Sequence, residues 1–83
     1  MSVKRISILG ATGSVGQSTL DLVARDPEAF DVMALTAYRD VEGLAKTARV
    51  HNAKLAVIGD PSLAAELADA LSGSGIETAS GPE

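Results

Sequence analysis

Cysteine is absent from the chain. That excludes a disulfide framework, a thiolate metal site and a cysteine nucleophile. Aromatic residues are scarce, with Phe30 and Tyr38 the only two, so a core must be built from Leu, Ile, Val and Ala. No apolar run approaches the ~18 residues of a membrane span, and no secretory signal is visible at the N-terminus. Basic residues are scattered rather than gathered in a stripe, and the formal net charge is −4. These features argue against nucleic acid as a partner. They leave an anionic small molecule open, because a phosphate site is made locally from backbone amides and one or two cations.

What is present is enough for one small domain. The chain has 83 residues, 46% of them apolar, which is the composition of a globular protein and not of a disordered one. At this length only ~60% of the unfolded chain's surface is buried on folding, so stability is expected to be modest.

Apolar runs and helical patterns alternate along the chain. Arg5–Gly10 (RISILG) reads as a first strand. Ser14–Asp26 follows with helical spacing, Val15, Thr19, Leu22 and Val23 sharing one face. Ser14 and Gln17 have capping-box spacing, and Asp26-Pro27 ends the helix. Asp31–Ala37 (DVMALTA) is apolar on both alternating faces, as in a strand covered on both sides. Asp40 is a candidate N-cap for a helix carrying Val41, Leu44, Ala45 and Ala48 at i, i+3, i+4 and i+7. Asn52 can close that helix in a left-handed conformation.

Lys54–Gly59 reads as a third strand. Asp60-Pro61 starts a third helix, with Leu63, Leu67 and Leu71 in its buried stripe beside Ala64 and Ala68. Ser72–Gly75 (SGSG) reads as a flexible loop and Ile76–Ser80 as a fourth strand. The expected class is α/β: a Rossmann-like, doubly wound parallel sheet of about four strands and three helices. With right-handed crossovers, a return of strand four beside strand one gives the order 3-2-1-4. Such a sheet is incomplete, as expected of the N-terminal part of a longer dinucleotide-binding domain.

The stretch from Ile6 to Val23, ISILGATGSVGQSTLDLV, carries the functional signal. Gly10, Gly13 and Gly16 lie three apart, between a strand and a helix. Gly10 permits the sharp turn, Gly13 admits a pyrophosphate close to the backbone, and Gly16 lets the helix pack tightly. The amides of the first helical turn then face an anion at the positive end of the helix dipole. Thr12 and Ser14 add hydroxyl donors. The spacing G-x-x-G-x-x-G is weak alone. It gains weight from the strand before it, the helix after it and the second strand about twenty residues on.

The end of strand two decides the nucleotide. NAD-binding domains place Asp or Glu there for the ribose hydroxyls. Here the strand ends in Thr36-Ala37, and Arg39 follows Tyr38. A guanidinium can pair with a 2′-phosphate and stack on adenine, which favours NADP over NAD, although a lone arginine is often only a solvated surface residue. Asp40 can repel a phosphate, or it can cap the second helix and hold Arg39; the cap is preferred. His51, near a helix end, has no carboxylate partner and reads as an exposed residue at the negative end of the dipole. The remaining carboxylates show no metal-ligand spacing.

These residues resemble the N-terminus of the 1-deoxy-D-xylulose-5-phosphate reductoisomerase family. The resemblance rests on the G-A-T-G-S-V-G loop, STLD in the helix, PEAF, VMALTA followed by a basic residue, KLAVIGDPS and SGSGIETASGPE. It covers essentially the whole chain. The loop alone is shared with aspartate-semialdehyde dehydrogenases, which are the first alternative; a non-catalytic nucleotide-sensing module is the second.

The resemblance implies an oxidoreductase of isoprenoid precursor synthesis. It rearranges and reduces 1-deoxy-D-xylulose 5-phosphate to 2-C-methyl-D-erythritol 4-phosphate, using NADPH and Mg2+ or Mn2+, as a cytoplasmic homodimer. It further implies cofactor contacts at Gly10, Thr12, Gly13, Ser14 and Val15, and at Tyr38, Arg39 and Asp40. The tripeptide Tyr38-Arg39-Asp40 departs from the family's usual small residue, basic residue and asparagine. The family's metal-binding carboxylates, substrate-phosphate residues and lid lie beyond residue 83, so this stretch alone is expected to hold no catalytic residue.

Overall fold

The computed structural model describes residues 3–81. Four strands alternate with helices: β1 (Lys4–Ile8), α1 (Ser14–Arg25), β2 (Phe30–Ala37), α2 (Val41–His51), β3 (Leu55–Ile58), a 3-10 turn (Pro61–Leu63) running into α3 (Ala64–Ala70), and β4 (Glu77–Ser80). All strand pairs are parallel, so the α/β class stands. The strand order is β1-β2-β3-β4, not the 3-2-1-4 expected. Right-handed crossovers permit either order. The choice falls to α3, whose contacts are with α2 and β4. Packed there, a seven-residue helix delivers its strand to the free edge of β3, one spacing of ~5 Å away, instead of crossing ~14 Å to the far side of β1.

All three helices therefore share one face of the sheet. That face carries Ile8, Val32, Leu35, Ala37, Ala56 and Ile58, all buried, against Leu20, Val23, Leu44, Ala48, Leu67 and Leu71. The opposite face, with Ala34, Leu55 and Val57, is only half-buried. The period-2 reading of β2 is broken by one extra residue. Ile6 pairs with Val32 but Ser7 with Ala34, so Val32 and Leu35, three apart, both point to the helices. A bulge of this kind re-aims the side chains that follow it.

Helix α1 turns a different face inward from the one expected. Gly16, Leu20 and Val23 are buried, while Val15 is 80% and Leu22 60% exposed. The phase is set by Gly16, whose missing side chain lets the helix close on the loop before it. Helix α2 buries Val41, Leu44, Ala45 and Ala48 as read, and Asn52 closes it at φ 53°. In α3, Leu67 and Leu71 are buried but Ala68 is exposed; Ala70 packs on the core in its place. The Ser72–Gly75 loop is more ordered than its composition suggests. The Ser74 hydroxyl donates to Leu71 O and accepts from Ile76 N, and Gly73 and Gly75 both take positive φ.

Candidate functional site

The loop after β1 turns at Gly10, where φ is +66°. A Cβ there would meet open space, so glycine is needed for the backbone conformation and not for room. Gly16 is the reverse case. Its Cβ would run into the Gly10 carbonyl oxygen and lie 2.8 Å from Ala11 Cα. Gly13 is different again, being extended (φ −82°, ψ 172°), with nothing nearer to its Cβ position than Gly10 O at 3.4 Å. The fold itself does not demand glycine at 13, so the space above it is available to a ligand.

Gly13, not Ser14, is the N-cap of α1, and no side chain caps the helix. The capping box does not form, because the Gln17 side chain donates to Ala11 O at 2.7 Å instead. The first-turn amides, which have no intrahelical acceptor, are thus left without a capping side chain, with Ser14 and Val15 exposed beside them. An uncapped helix start behind a glycine turn fits an oxyanion, which would accept from these donors and gain from the dipole.

The loop is held in place by the end of β2. Thr36 Oγ1 accepts from Gly10 N at 3.0 Å, and Thr36 O accepts from Ala11 N at 2.7 Å. These bonds consume the Gly10 and Ala11 amides, and Gly13 N donates to Gly10 O at 3.0 Å, so the donors left for a ligand are those of Thr12 and of the first turn of α1. Leu9, Gly10, Thr36, Tyr38, Val57 and Gly59 border an open depression of about 350 Å³ at the carboxyl ends of the strands. In parallel α/β sheets this is the end at which ligands bind.

The β2–α2 connection supplies the rest. Tyr38 is 71% exposed, and its ring crosses Gly59, where a Cβ would approach Tyr38 Cδ1 to 2.6 Å. Asp40 caps α2, accepting from Gly43 N at 3.0 Å. The cap reading of Asp40 therefore stands, but Asp40 does not hold Arg39. The Arg39 Nε instead lies 3.4 Å from an Asp60 carboxylate oxygen. Gly43 brings this helix start against the glycine loop, since a Cβ on it would stand 3.0 Å from Thr12 Cγ2. Gly10 and Thr12 thus lie beside Tyr38 and the start of α2 at Asp40, with Gly13, Ser14 and Val15 next along the loop and Arg39 between Tyr38 and Asp40 in the chain.

Nothing local in the sequence marks Thr36, Gln17, Gly59 or Asp60 as a site residue. Thr36 bonds to a residue 26 positions away, and no local pattern signals such a partner. His51 is half-buried rather than exposed, and burial pushes its imidazole below the ordinary value. Among the described residues no group of three His, Cys, Asp or Glu side chains is placed to hold a metal ion. No helix among them is long and apolar enough to cross a membrane.

Comparison with known proteins agrees with this geometry. The family model for 1-deoxy-D-xylulose 5-phosphate reductoisomerase matches residues 6–83. The reductoisomerase of Zymomonas mobilis is 51% identical over 80 residues, covering 96% of this chain and 21% of its own length. That of Jannaschia sp. is 53% identical over 78 residues, covering 94% of this chain and 20% of its own length. The solved structure of the Zymomonas mobilis enzyme in complex with NADPH superposes with a TM-score of 0.94 over 96% of this chain and 21% of that one. A reductoisomerase solved with NADPH, fosmidomycin and magnesium gives a TM-score of 0.88 at 28% identity, over 95% of this chain and 20% of its own. The chain thus spans about a fifth of the length of the relatives it matches.

Proposed function

Because the chain belongs to the 1-deoxy-D-xylulose 5-phosphate reductoisomerase family, we propose that it is the NADPH-binding N-terminal segment of such an enzyme. The observation that carries this reading is the uncapped start of α1 behind the left-handed Gly10, with Arg39 in the adjoining β2–α2 connection. The first-turn amides of α1, with Thr12 and Ser14, hold the pyrophosphate. Gly13 admits it, because no Cβ stands in the way. Val15 and Tyr38 border the dinucleotide, and Arg39 pairs with the 2′-phosphate. Asp40 contributes by fixing the start of α2. When bound, NADPH supplies the hydride, and the protein's share is to bind and orient it.

In this reading the reaction is the rearrangement and reduction of 1-deoxy-D-xylulose 5-phosphate to 2-C-methyl-D-erythritol 4-phosphate, in isoprenoid precursor synthesis. The substrate, the Mg2+ or Mn2+ ion and their ligands belong to parts of a cytoplasmic homodimer outside these residues. Membership of this family sets aside the semialdehyde-dehydrogenase alternative that the loop left open.

The experiment is a hybrid in which this chain replaces the matching stretch of the Zymomonas mobilis enzyme. The hybrid is expected to bind NADPH, and Gly13→Val within it to abolish binding without unfolding the segment. Unchanged NADPH affinity in Gly13→Val would refute the reading.

A further inference from the structure

The carboxylate at the end of β3 has no part in the cofactor loop, yet it is the most firmly held acid at this end of the sheet. Asp60 Oδ1 accepts from Ser62 N at 3.0 Å and from Ser62 Oγ at 2.7 Å. Its backbone N–H donates to Tyr38 O at 2.9 Å, beside the Gly59 N to Ala37 O bond at 2.8 Å. Two backbone bonds thus tie the end of β3 to the end of β2, and Pro61 follows to fix the chain direction. The bonds from Ser62 draw the Asp60 carboxyl below its ordinary range, helped by the Arg39 charge. With Oδ1 committed to Ser62, Oδ2 is the oxygen turned to Arg39 Nε, at 3.4 Å.

The nitrogen it faces is the informative detail, the approach at Nε being an ion-pair contact and not a hydrogen bond. A guanidinium has five N–H donors in a fixed fork. A carboxylate on Nε leaves the four terminal donors free, and those form the edge that binds phosphate oxygens in pairs. The Asp60 side chain is 21% exposed and anchored, whereas the Arg39 side chain is 69% exposed. The anchored partner therefore orients the exposed one. The other nearby acid, Asp40, is engaged with Gly43 N.

We propose that Asp60 is a positioning residue that holds Arg39 by Nε, so that its terminal nitrogens face the 2′-phosphate and set the preference for NADPH over NADH. This rests on the reading of Arg39 as the 2′-phosphate ligand. Asp60 touches no part of the cofactor itself; its effect passes through Arg39 alone.

The test is a double-mutant cycle in the hybrid enzyme, with dissociation constants measured for NADPH and for NADH. Asp60→Asn retains one oxygen for the Ser62 donors and replaces the other, which faces Arg39, by an uncharged NH2 group. Asp60→Asn is expected to weaken NADPH about three- to fivefold, the upper range for an exposed ion pair, and to leave NADH unchanged. In an Arg39→Ala background it should change neither constant, since neighbours acting through one contact are not additive.

An unchanged NADPH:NADH ratio in Asp60→Asn, or a tighter NADPH, overturns the assignment, the latter because the acid would then be repelling the phosphate. An effect that persists without Arg39 overturns it too. If Arg39→Ala itself leaves the ratio unmoved, the reading of Arg39 fails first, and the two failures are told apart. Should Asp60→Asn unfold the segment, Ser62→Ala loosens the carboxylate without removing it and should weaken NADPH in the same direction by a smaller factor. No change there also overturns the assignment.

Discussion

At the scale of single residues, the three loop glycines have three separate reasons, and substitution can separate them. Gly16→Ala drives a methyl group into the backbone of Gly10 and Ala11. It is expected to destabilise the fold by about 1–3 kcal/mol, as overpacking does, read as a lower midpoint in urea. Gly13→Ala meets no such contact. Its cost to stability should stay below about 1 kcal/mol, the range of an N-cap change, while NADPH affinity falls. A Gly13→Ala variant that unfolds as readily as Gly16→Ala would contradict this division. Arg39→Ala removes a charge-assisted contact and should narrow the preference for NADPH over NADH by about 1.5–3 kcal/mol. The pair of dissociation constants checks that figure.

At the scale of elements, the signals that held are those whose partners are near in sequence. Asp40 caps α2 through Gly43, three residues on, and Asn52 closes the same helix. Most signals that failed depended on a distant contact, the exception being the capping box at Ser14, which is lost because Gln17 bonds to Ala11 O six residues back. Helix α1 turns Gly16 inward because of the loop it meets, which moves Val15 and Leu22 to solvent. The bulge in β2 arises from pairing with β1 and is invisible in the alternation of its own residues.

His51 shows the same dependence. Its local sequence implies an exposed residue favoured by the helix dipole; in the fold it is half-buried beside the groove between α1 and α2, which Gln17, Leu20 and Ala24 line. Its folded-state pKa therefore lies below the unfolded ~6.5. Just below that pH the unfolded chain binds more protons than the folded one, so stability falls as pH drops, until the lowered folded pKa is passed. His51→Gln should flatten this part of the curve, as measured by denaturant midpoints from pH 7.5 to 5. A slope that survives the substitution would belong to another group.

At the scale of the whole molecule, the one-sided placement of the helices makes the two faces of the sheet unequal. Ile58 is fully buried on the helix face, while Val57, its neighbour in β3, is half-buried on the other. Ile58→Ala in this chain is expected to cost about 2–5 kcal/mol, and Val57→Ala clearly less. Equal losses, seen in the unfolding free energies, would mean that both faces are covered. The sequence by itself determined the number and kind of elements, the caps of α2 and the glycine turn, because each depends on dihedral preference or hydrogen bonds within a few residues. The tertiary structure alone decided the strand order, the inward face of α1 and the linking of Arg39 to Asp60. Each of those joins residues that lie apart in the chain, and their proximity is settled only when helices pack on the sheet and the strand ends come into line.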